Sequence, residues 1–375
     1  MAAIFTPGLK VSEHAIVQKD RRLPLEGEVL VAVGDTVTAD QVVARTELPG
    51  KIFPVNIANK LGVDPGRMKS FMSKGEGDDV EEGEIIASTP GILGFFKSEA
   101  KAVVSGKIES ISKVTGQVIF QAHPIPVEID AYINGKVVEC IPNEGCVIQA
   151  AATFVQGIFG LGGETKGEIV LAVDSPQAVL TADQITAEMA GKIIVGGAYL
   201  NRDGLKKAIS VGASAIVTGG FDYDEIKEVL GYEVGVAITG GEDLGCTLIV
   251  TEGFGQIQMA PATFELLKSK AGKRASVNGA TQIRAGVMRP EVVVTFDDQE
   301  VPSERVADPE PIGISIGSQI RGIRDPYFGM LGRVAGLPVE PVALQSESKA
   351  RVMTVAFEDG TEVTLPRANV EAIER

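Results

Sequence analysis

Tryptophan is absent from this 375-residue chain, aromatic residues make up only 5% of it, and there are two histidines and three cysteines. Each shortage excludes something. A zinc site built on several histidines cannot form from His14 and His123 alone, and a four-cysteine zinc or iron–sulfur site cannot form from Cys140, Cys146 and Cys246. A serine–histidine–aspartate triad would have to recruit one of the same two histidines. A small, odd number of cysteines fits a reducing compartment. The sequence has no run of 18 or more apolar residues, so no membrane-spanning helix and no membrane partner are expected. The stretch from Met1 to Lys10 lacks a basic start followed by an apolar core, so no secretory signal is read there and the expected location is cytoplasmic. Basic residues are also in deficit, 35 Lys and Arg against 50 Asp and Glu, for a net charge of −15. Broad binding to nucleic acid or to an anionic membrane needs the opposite balance, because it works by neutralising phosphate.

Glycine is what the chain has in excess: 44 residues, where a share of about 7% would give roughly 26. Many glycines with few aromatics point to many tight turns and short strands. At roughly 100–200 residues per domain the length predicts two to four domains, and a hydrophobic content of 44% is enough to give each a core.

The N-terminal third carries an internal repeat. Gly34-Asp35-Thr36-Val37 runs on to Gln41-Val42-Val43-Ala44, and Gly77-Asp78-Asp79-Val80 runs on to Glu84-Ile85-Ile86-Ala87, with an offset of 43 residues throughout. Each copy reads as a turn, an inward valine, a second turn and a short apolar strand. A Gly-Lys-apolar step follows each copy (Gly50-Lys51-Ile52 and Gly106-Lys107-Ile108), and a third appears at Gly135-Lys136-Val137. Short strands punctuated by glycine predict a small β-sandwich or barrel of two similar halves, neither of which can bury its apolar face alone.

These residues resemble the biotinyl/lipoyl family, the barrel-sandwich hybrid, and are similar to the N-terminal region of the C subunit of the Rnf electron-transport complex. The resemblance covers roughly residues 20–150 and implies a lipoyl-like sandwich there. It does not carry over a modified lysine: Lys51 lies in Leu-Pro-Gly-Lys-Ile, which fits neither of the family's usual lysine contexts, and the cysteine-rich cluster motifs of the Rnf subunit are missing. No cofactor and no metal is therefore expected.

From about residue 165 the texture changes. Apolar runs at Ile169–Val173, Ile193–Val195, Ala215–Val217, Val234–Ile238 and Thr247–Val250 alternate with helical patterns. One helix follows Asn201 or Asp203 as cap, one covers Asp222 to Leu230, and one runs from Pro261 to Lys270 and closes at Gly272. Alternation of this kind predicts a parallel sheet in an α/β domain. The segment Phe159-Gly160-Leu161-Gly162-Gly163-Glu164 has neither phosphate-loop nor dinucleotide spacing and reads as a domain-joining turn.

Three of the predicted strands end in paired glycines. Ligands of open α/β sheets bind beyond the carboxyl ends of the strands, and glycine there lets backbone approach a ligand closely. The candidate ligand-binding set is therefore Gly196, Gly197, Thr218, Gly219, Gly220, Thr239, Gly240 and Gly241, with Arg284 as an anion partner from a following polar loop. A small anionic ligand, nucleotide or phosphorylated metabolite would fit such a pocket. The Thr-Gly-Gly ends are loosely similar to a small regulatory domain named for its Asp-Arg-Thr-Gly-Gly motif, although the Asp-Arg is missing. Glu242, Asp243 and Glu252 lie near the same strand ends, where they could hold a divalent cation but would repel an anion.

Near the C-terminus, the stretch from Gly317 to Val334 resembles the KOW motif, and Ala350–Phe357 with Thr361–Leu365 around Glu358-Asp359-Gly360 reads as a β-hairpin. The resemblance implies an SH3-like barrel, of a kind that contacts RNA, RNA polymerase, ribosomal proteins or other proteins. Arg321, Arg324, Tyr327, Phe328 and Arg333 are its candidate partner-binding residues, Arg351 and Arg367 add local positive charge, and the acidity of the whole chain favours a protein partner over RNA.

The expected architecture is thus multidomain, α/β plus all-β: a lipoyl-like barrel-sandwich hybrid over 1–150, a central parallel α/β domain over 151–299, a linker over 300–311 and a KOW barrel over 312–375. No motif supplies a nucleophile with its base, and no phosphate loop or dinucleotide fingerprint is present. The expected function is non-enzymatic interaction or assembly, docking other proteins or copies of the same chain. A nucleotide- or phosphometabolite-binding regulatory protein and an RNA- or ribosome-associated factor are the alternatives.

Overall fold

The computed structural model describes residues 9–90, 97–231, 239–242, 244–282, 288–296, 316–322, 326–327, 330–338, 342–343, 349–357 and 360–372. The expected strand Val234–Ile238, the linker 300–311, and Asp243, Arg284, Arg324 and Phe328 lie outside the described residues. The fold is mainly β with few helices, and it combines one large mixed sheet containing a parallel segment with several small antiparallel sheets.

The parallel segment follows from the apolar runs. Glu164–Leu171, Ile193–Val195, Ala215–Phe221 and Thr247–Phe254 lie side by side in that order, all parallel. The helices between them are capped as their sequences dictate. Asn201 accepts a hydrogen bond from the Gly204 N–H (2.8 Å) at the start of Arg202–Val211, and Asp222 does the same from Asp224 at the start of Tyr223–Leu230. Gly212 and Gly231 end these helices with positive φ, a conformation in which a side chain would be strained. The helix Pro261–Ser269 opens on its proline.

Three expectations change here. The parallel strands do not form a sheet of their own, and the boundary placed between 150 and 151 falls inside a strand. Gly145–Gln156 runs through it and belongs to the same 11-stranded sheet as the parallel segment. One edge of this strand pairs with Val11–Arg22; the other pairs first with Gly135–Ile141 and then with Glu291–Thr295. Through Glu291–Thr295 and Arg274–Asn278 the pairing continues to Glu164–Leu171. The alternation of side chains along a strand explains how one sheet serves two cores. Val292 and Val294 pack with the parallel segment and its helices, whereas Val293 packs with Ile148, Ala152 and Phe154 on the opposite face. The predicted joining turn is also a strand: Phe159–Leu161 is buried and pairs antiparallel with Thr247–Phe254.

The 43-residue repeat is real at the level of individual hydrogen bonds. In both copies the aspartate accepts from the backbone N–H three residues earlier, Asp35 from Ala32 (2.9 Å) and Asp78 from Gly75 (2.6 Å). Gly34 and Gly77 both have positive φ, and both donate to the carbonyl of a partner strand, Val137 and Ile108. The inward valines, Val37 and Val80, are buried opposite Gly135 and Gly106. The counterpart of Gly106-Lys107 is thus the third Gly-Lys step, at 135–136, and not Gly50-Lys51. Lys51 is exposed between two strands of different sheets, Val42–Leu48 and Ile52–Asn56, rather than at a hairpin tip.

The paired glycines at the strand ends have a packing role. A Cβ on Gly220 would lie 1.9 Å from the Gly255 carbonyl oxygen, one on Gly219 would lie 2.3 Å from that of Ile257, and one on Gly197 would lie 2.4 Å from that of Ala178. Two backbone segments, 175–178 and 255–259, lie flat across the strand ends, and only glycine admits them. Gly220→Ala should therefore destabilise the protein by about 1–3 kcal/mol, as other overpacked sites do. Gly241→Ala, exposed with nothing within 4 Å of its Cβ position, should be within about 0.5 kcal/mol of the parent. Chemical denaturation of both variants checks this; equal stabilities would contradict it.

Candidate functional site

Among the described residues, most of the strand-end candidates lie beneath the chain's own backbone. Gly196, Gly197, Thr218, Gly219 and Gly220 are buried beneath the two covering segments. Thr239 is also buried: its hydroxyl donates to the Gly160 carbonyl (2.7 Å) and accepts from the Thr281 N–H (3.0 Å), so it closes the free edge of Phe159–Leu161. Gly240 is half-buried with its N–H on Glu242 (2.7 Å), and Gly241 is exposed. Among the described residues no group of three His, Cys, Asp or Glu side chains could hold a metal ion.

The C-terminal candidates also need correction. The five-stranded antiparallel sheet of this region contains Gln319–Gly322, Leu331–Gly336 and the predicted hairpin, Val352–Phe357 with Glu362–Pro366. Arg321 is not on its surface. The side chain is 2% exposed, and its Nη2 lies 2.6 Å from Glu252 Oε2, which is 7% exposed. Tyr327 is half-buried and stacked on Phe357 (5.2 Å between ring centroids), so it belongs to the small local core. Arg333 is exposed and donates to the Gly317 carbonyl.

The Glu252–Arg321 pair points to the site that sequence reasoning missed. Glu252 sits near the carboxyl end of Thr247–Phe254, the fourth parallel strand. Its other oxygen accepts from the Ala260 N–H (2.9 Å), immediately before the helix Pro261–Ser269. Around this carboxylate lies a cleft of about 800 Å³. Leu9 and Val11 line it from the N-terminal strand, Gln156 from the end of the shared strand, Gln256, Ile257 and Gln258 from the covering segment, and Gln319 and Leu331 from the C-terminal sheet. All three regions of the chain contribute.

The chemistry of the lining is specific. Glu252 and Arg321 are its charged side chains, and they neutralise each other. Four glutamines supply primary amides, each with two N–H donors and one carbonyl acceptor, the Gln156 carbonyl already accepting from the Lys10 N–H (3.0 Å). The remaining surface is largely aliphatic. The covering segment can present Gln256 and Gln258 side by side because the glycines beneath it leave room for its backbone. One signal of this was legible: Gln256-Ile257-Gln258 alternates at the end of a parallel strand and just before a proline-initiated helix. Gln156 and Gln319 reach the cleft only through tertiary structure.

A second junction is built from charge. Arg21 is bidentate on Glu164 (2.7 and 2.8 Å) and donates to the Asp130 carbonyl (2.8 Å), and Lys166 pairs with Asp130. Lys19 pairs with Glu291, which also accepts from the Tyr132 hydroxyl (3.2 Å). Tyr132 is fully buried with a φ of 64°, and the Lys19 and Arg21 cations lie 5.8 and 5.3 Å from its ring centroid. Burial, followed by the negative charges of Glu291 and Glu164, pushes the Tyr132 hydroxyl well above its ordinary range, against the opposing effect of Arg21.

Compared with known proteins, the chain matches no protein-family profile and no curated sequence. No helix among the described residues is long and apolar enough to cross a membrane.

Two outcomes follow. Removing one partner of a buried ion pair typically costs about 3–5 kcal/mol, whereas replacing both with apolar groups can be nearly neutral. Arg321→Met should therefore destabilise strongly, and Glu252→Leu combined with Arg321→Met should recover most of the loss in a double-mutant cycle; additive losses would contradict the coupling. For Tyr132 the folded pKa is raised, so its contribution is complete below the unfolded value of about 10 and declines as pH climbs above it, where only the unfolded chain releases the proton. Urea denaturation on either side of that pH should show a shallower alkaline loss for Tyr132→Phe than for the parent; equal slopes would contradict it.

Proposed function

We propose that this chain is a non-enzymatic, cytoplasmic interaction protein that holds an extended segment of a partner protein in the cleft where its three regions meet. The observation that carries the reading is the lining of the cleft: amides and aliphatic groups around one internally neutralised ion pair. A peptide backbone presents alternating N–H and C=O groups, which glutamine amides match in both senses, and its side chains supply apolar surface for Val11, Ile257 and Leu331. The volume lies within the range of roughly 300–1,000 Å³ usual for ligand sites, which often form between domains. The resemblances of the two outer regions to lipoyl-like and KOW modules agree with a docking role.

The lining does not favour the nucleotide or phosphometabolite alternative, since its one arginine is committed to a carboxylate. The RNA alternative loses Arg321 and Tyr327 as surface contacts and keeps Arg333.

Selection of a random-peptide display library against the full chain tests the proposal. Enriched peptides should bind the parent and lose at least about tenfold in affinity, about 1.4 kcal/mol, against Ala262→Trp. Ala262 lines the cleft from an exposed helical position, so the bulky side chain blocks the cleft without disturbing the core. Peptides that bind both proteins equally would overturn the reading. So would a nucleotide whose stabilising effect on thermal unfolding is lost in the same variant, or self-association that the variant abolishes while no peptide is enriched.

A further inference from the structure

Away from the cleft, the hairpin formed by Gly135–Ile141 and Gly145–Gln156 places Cys140 and Cys146 directly opposite each other across the strand pair. Side chains of directly opposed residues lie on the same face of an antiparallel pair, with Cβ atoms about 4.5–5.5 Å apart. A disulfide needs about 3.5–4.5 Å, so the required closure is about 1 Å and at most about 2 Å. The surroundings agree: Cys146 is buried in the core of the N-terminal region and Cys140 packs against that core, and both are free thiols. Cys140 is half-buried, and its thiol contacts the Val31 carbonyl oxygen at 3.4 Å.

We propose that Cys140 and Cys146 form a reversible dithiol–disulfide pair that is oxidised by low-molecular-weight disulfides. Cys140, the more accessible of the two, attacks a sulfur of the oxidant as its thiolate, forming a mixed disulfide and expelling one thiolate. Cys146 then gives up its proton to solvent and attacks Cys140 Sγ, expelling the second thiolate. The protein loses two protons and two electrons; the oxidant gains two electrons and leaves as two thiols. Burial, and next to it the Cys140 thiolate, push the Cys146 thiol up to about 11, which fits Cys140 as the attacking group and Cys146 as the resolving one. Only residues 141–145 lie between the two cysteines, so the bridge constrains the unfolded chain less than one closing a long loop would. Its effect is local: oxidation removes the thiol hydrogen that ties the hairpin to the segment around Val31.

The other cysteine is an internal control. Cys246 belongs to a different core, and burial pushes its thiol up to about 12. The test equilibrates the full native chain with oxidised and reduced glutathione, unfolds and alkylates it under acid quench, and digests it with trypsin. Both cysteines fall within one tryptic peptide, residues 137–166. The expected product is that peptide with two hydrogens lost and no alkyl group, while Cys246 is fully alkylated. Oxidation of Cys146→Ser should stop at a glutathione adduct on Cys140. The proposal is overturned if the wild-type peptide carries two alkyl groups under oxidising conditions, if it accumulates a stable glutathione adduct, or if Cys140 links two chains.

Discussion

The double-edged pairing of Gly145–Gln156 is the constraint on which the rest of the molecule depends. This strand gives one whole edge to Val11–Arg22 and divides the other between its hairpin partner Gly135–Ile141 and the strand Glu291–Thr295. A sheet that continues in this way joins the N-terminal region to the parallel segment through backbone hydrogen bonds. Its two faces must be buried by different cores, and the valines of Glu291–Thr295 are divided between them accordingly. The charged network around Tyr132 fixes the same joint from the side. Its buried members Arg21, Glu291 and Tyr132 and the half-buried Lys19 are each hydrogen-bonded, as burial of polar groups requires.

The cleft is a consequence of this joint. Because the sheet is continuous, the ends of Val11–Arg22 and Gly145–Gln156 come to rest beside the carboxyl end of Thr247–Phe254. Because glycine occupies the strand ends, the segment 255–259 can lie flat and turn two glutamines outward. The C-terminal sheet closes the remaining side and is tied there by Arg321 to a carboxylate that also meets the backbone N–H of Ala260. The Cβ positions of Gly197, Gly219 and Gly220 face the chain's own backbone and Arg321 faces Glu252, so these residues build the walls.

Local signals survived the comparison of sequence with structure, and long-range ones did not. The repeat was legible because it is made of short-range turn chemistry, an aspartate three residues from its N–H donor and a glycine with positive φ. Asn201, Asp222 and Pro261 marked their helices for the same reason. The glycine pairs signal close approach of backbone, and at Gly197, Gly219 and Gly220 the approaching group is the chain's own main chain. Arg321 was misread because an arginine in an amphipathic strand looks the same whether it faces solvent or a buried carboxylate 69 positions away. Of the cleft only Gln256-Ile257-Gln258 was legible, since its walls come from segments near residues 9–11, 156, 251–263 and 319–331 that only the tertiary structure brings together.

The most direct test of a peptide-binding cleft is to locate the bound segment by methyl NMR, with a selected peptide added to the full chain. The resonances of Leu9, Val11, Ile257, Met259 and Leu331, which line the cleft, should shift together and saturate at one stoichiometry, while those of Met68 and Met353, buried in other cores, stay in place. Shifts confined instead to exposed apolar residues of the N-terminal region, such as Ile52, Val114 and Ile125, would place the partner elsewhere and contradict the cleft as the site.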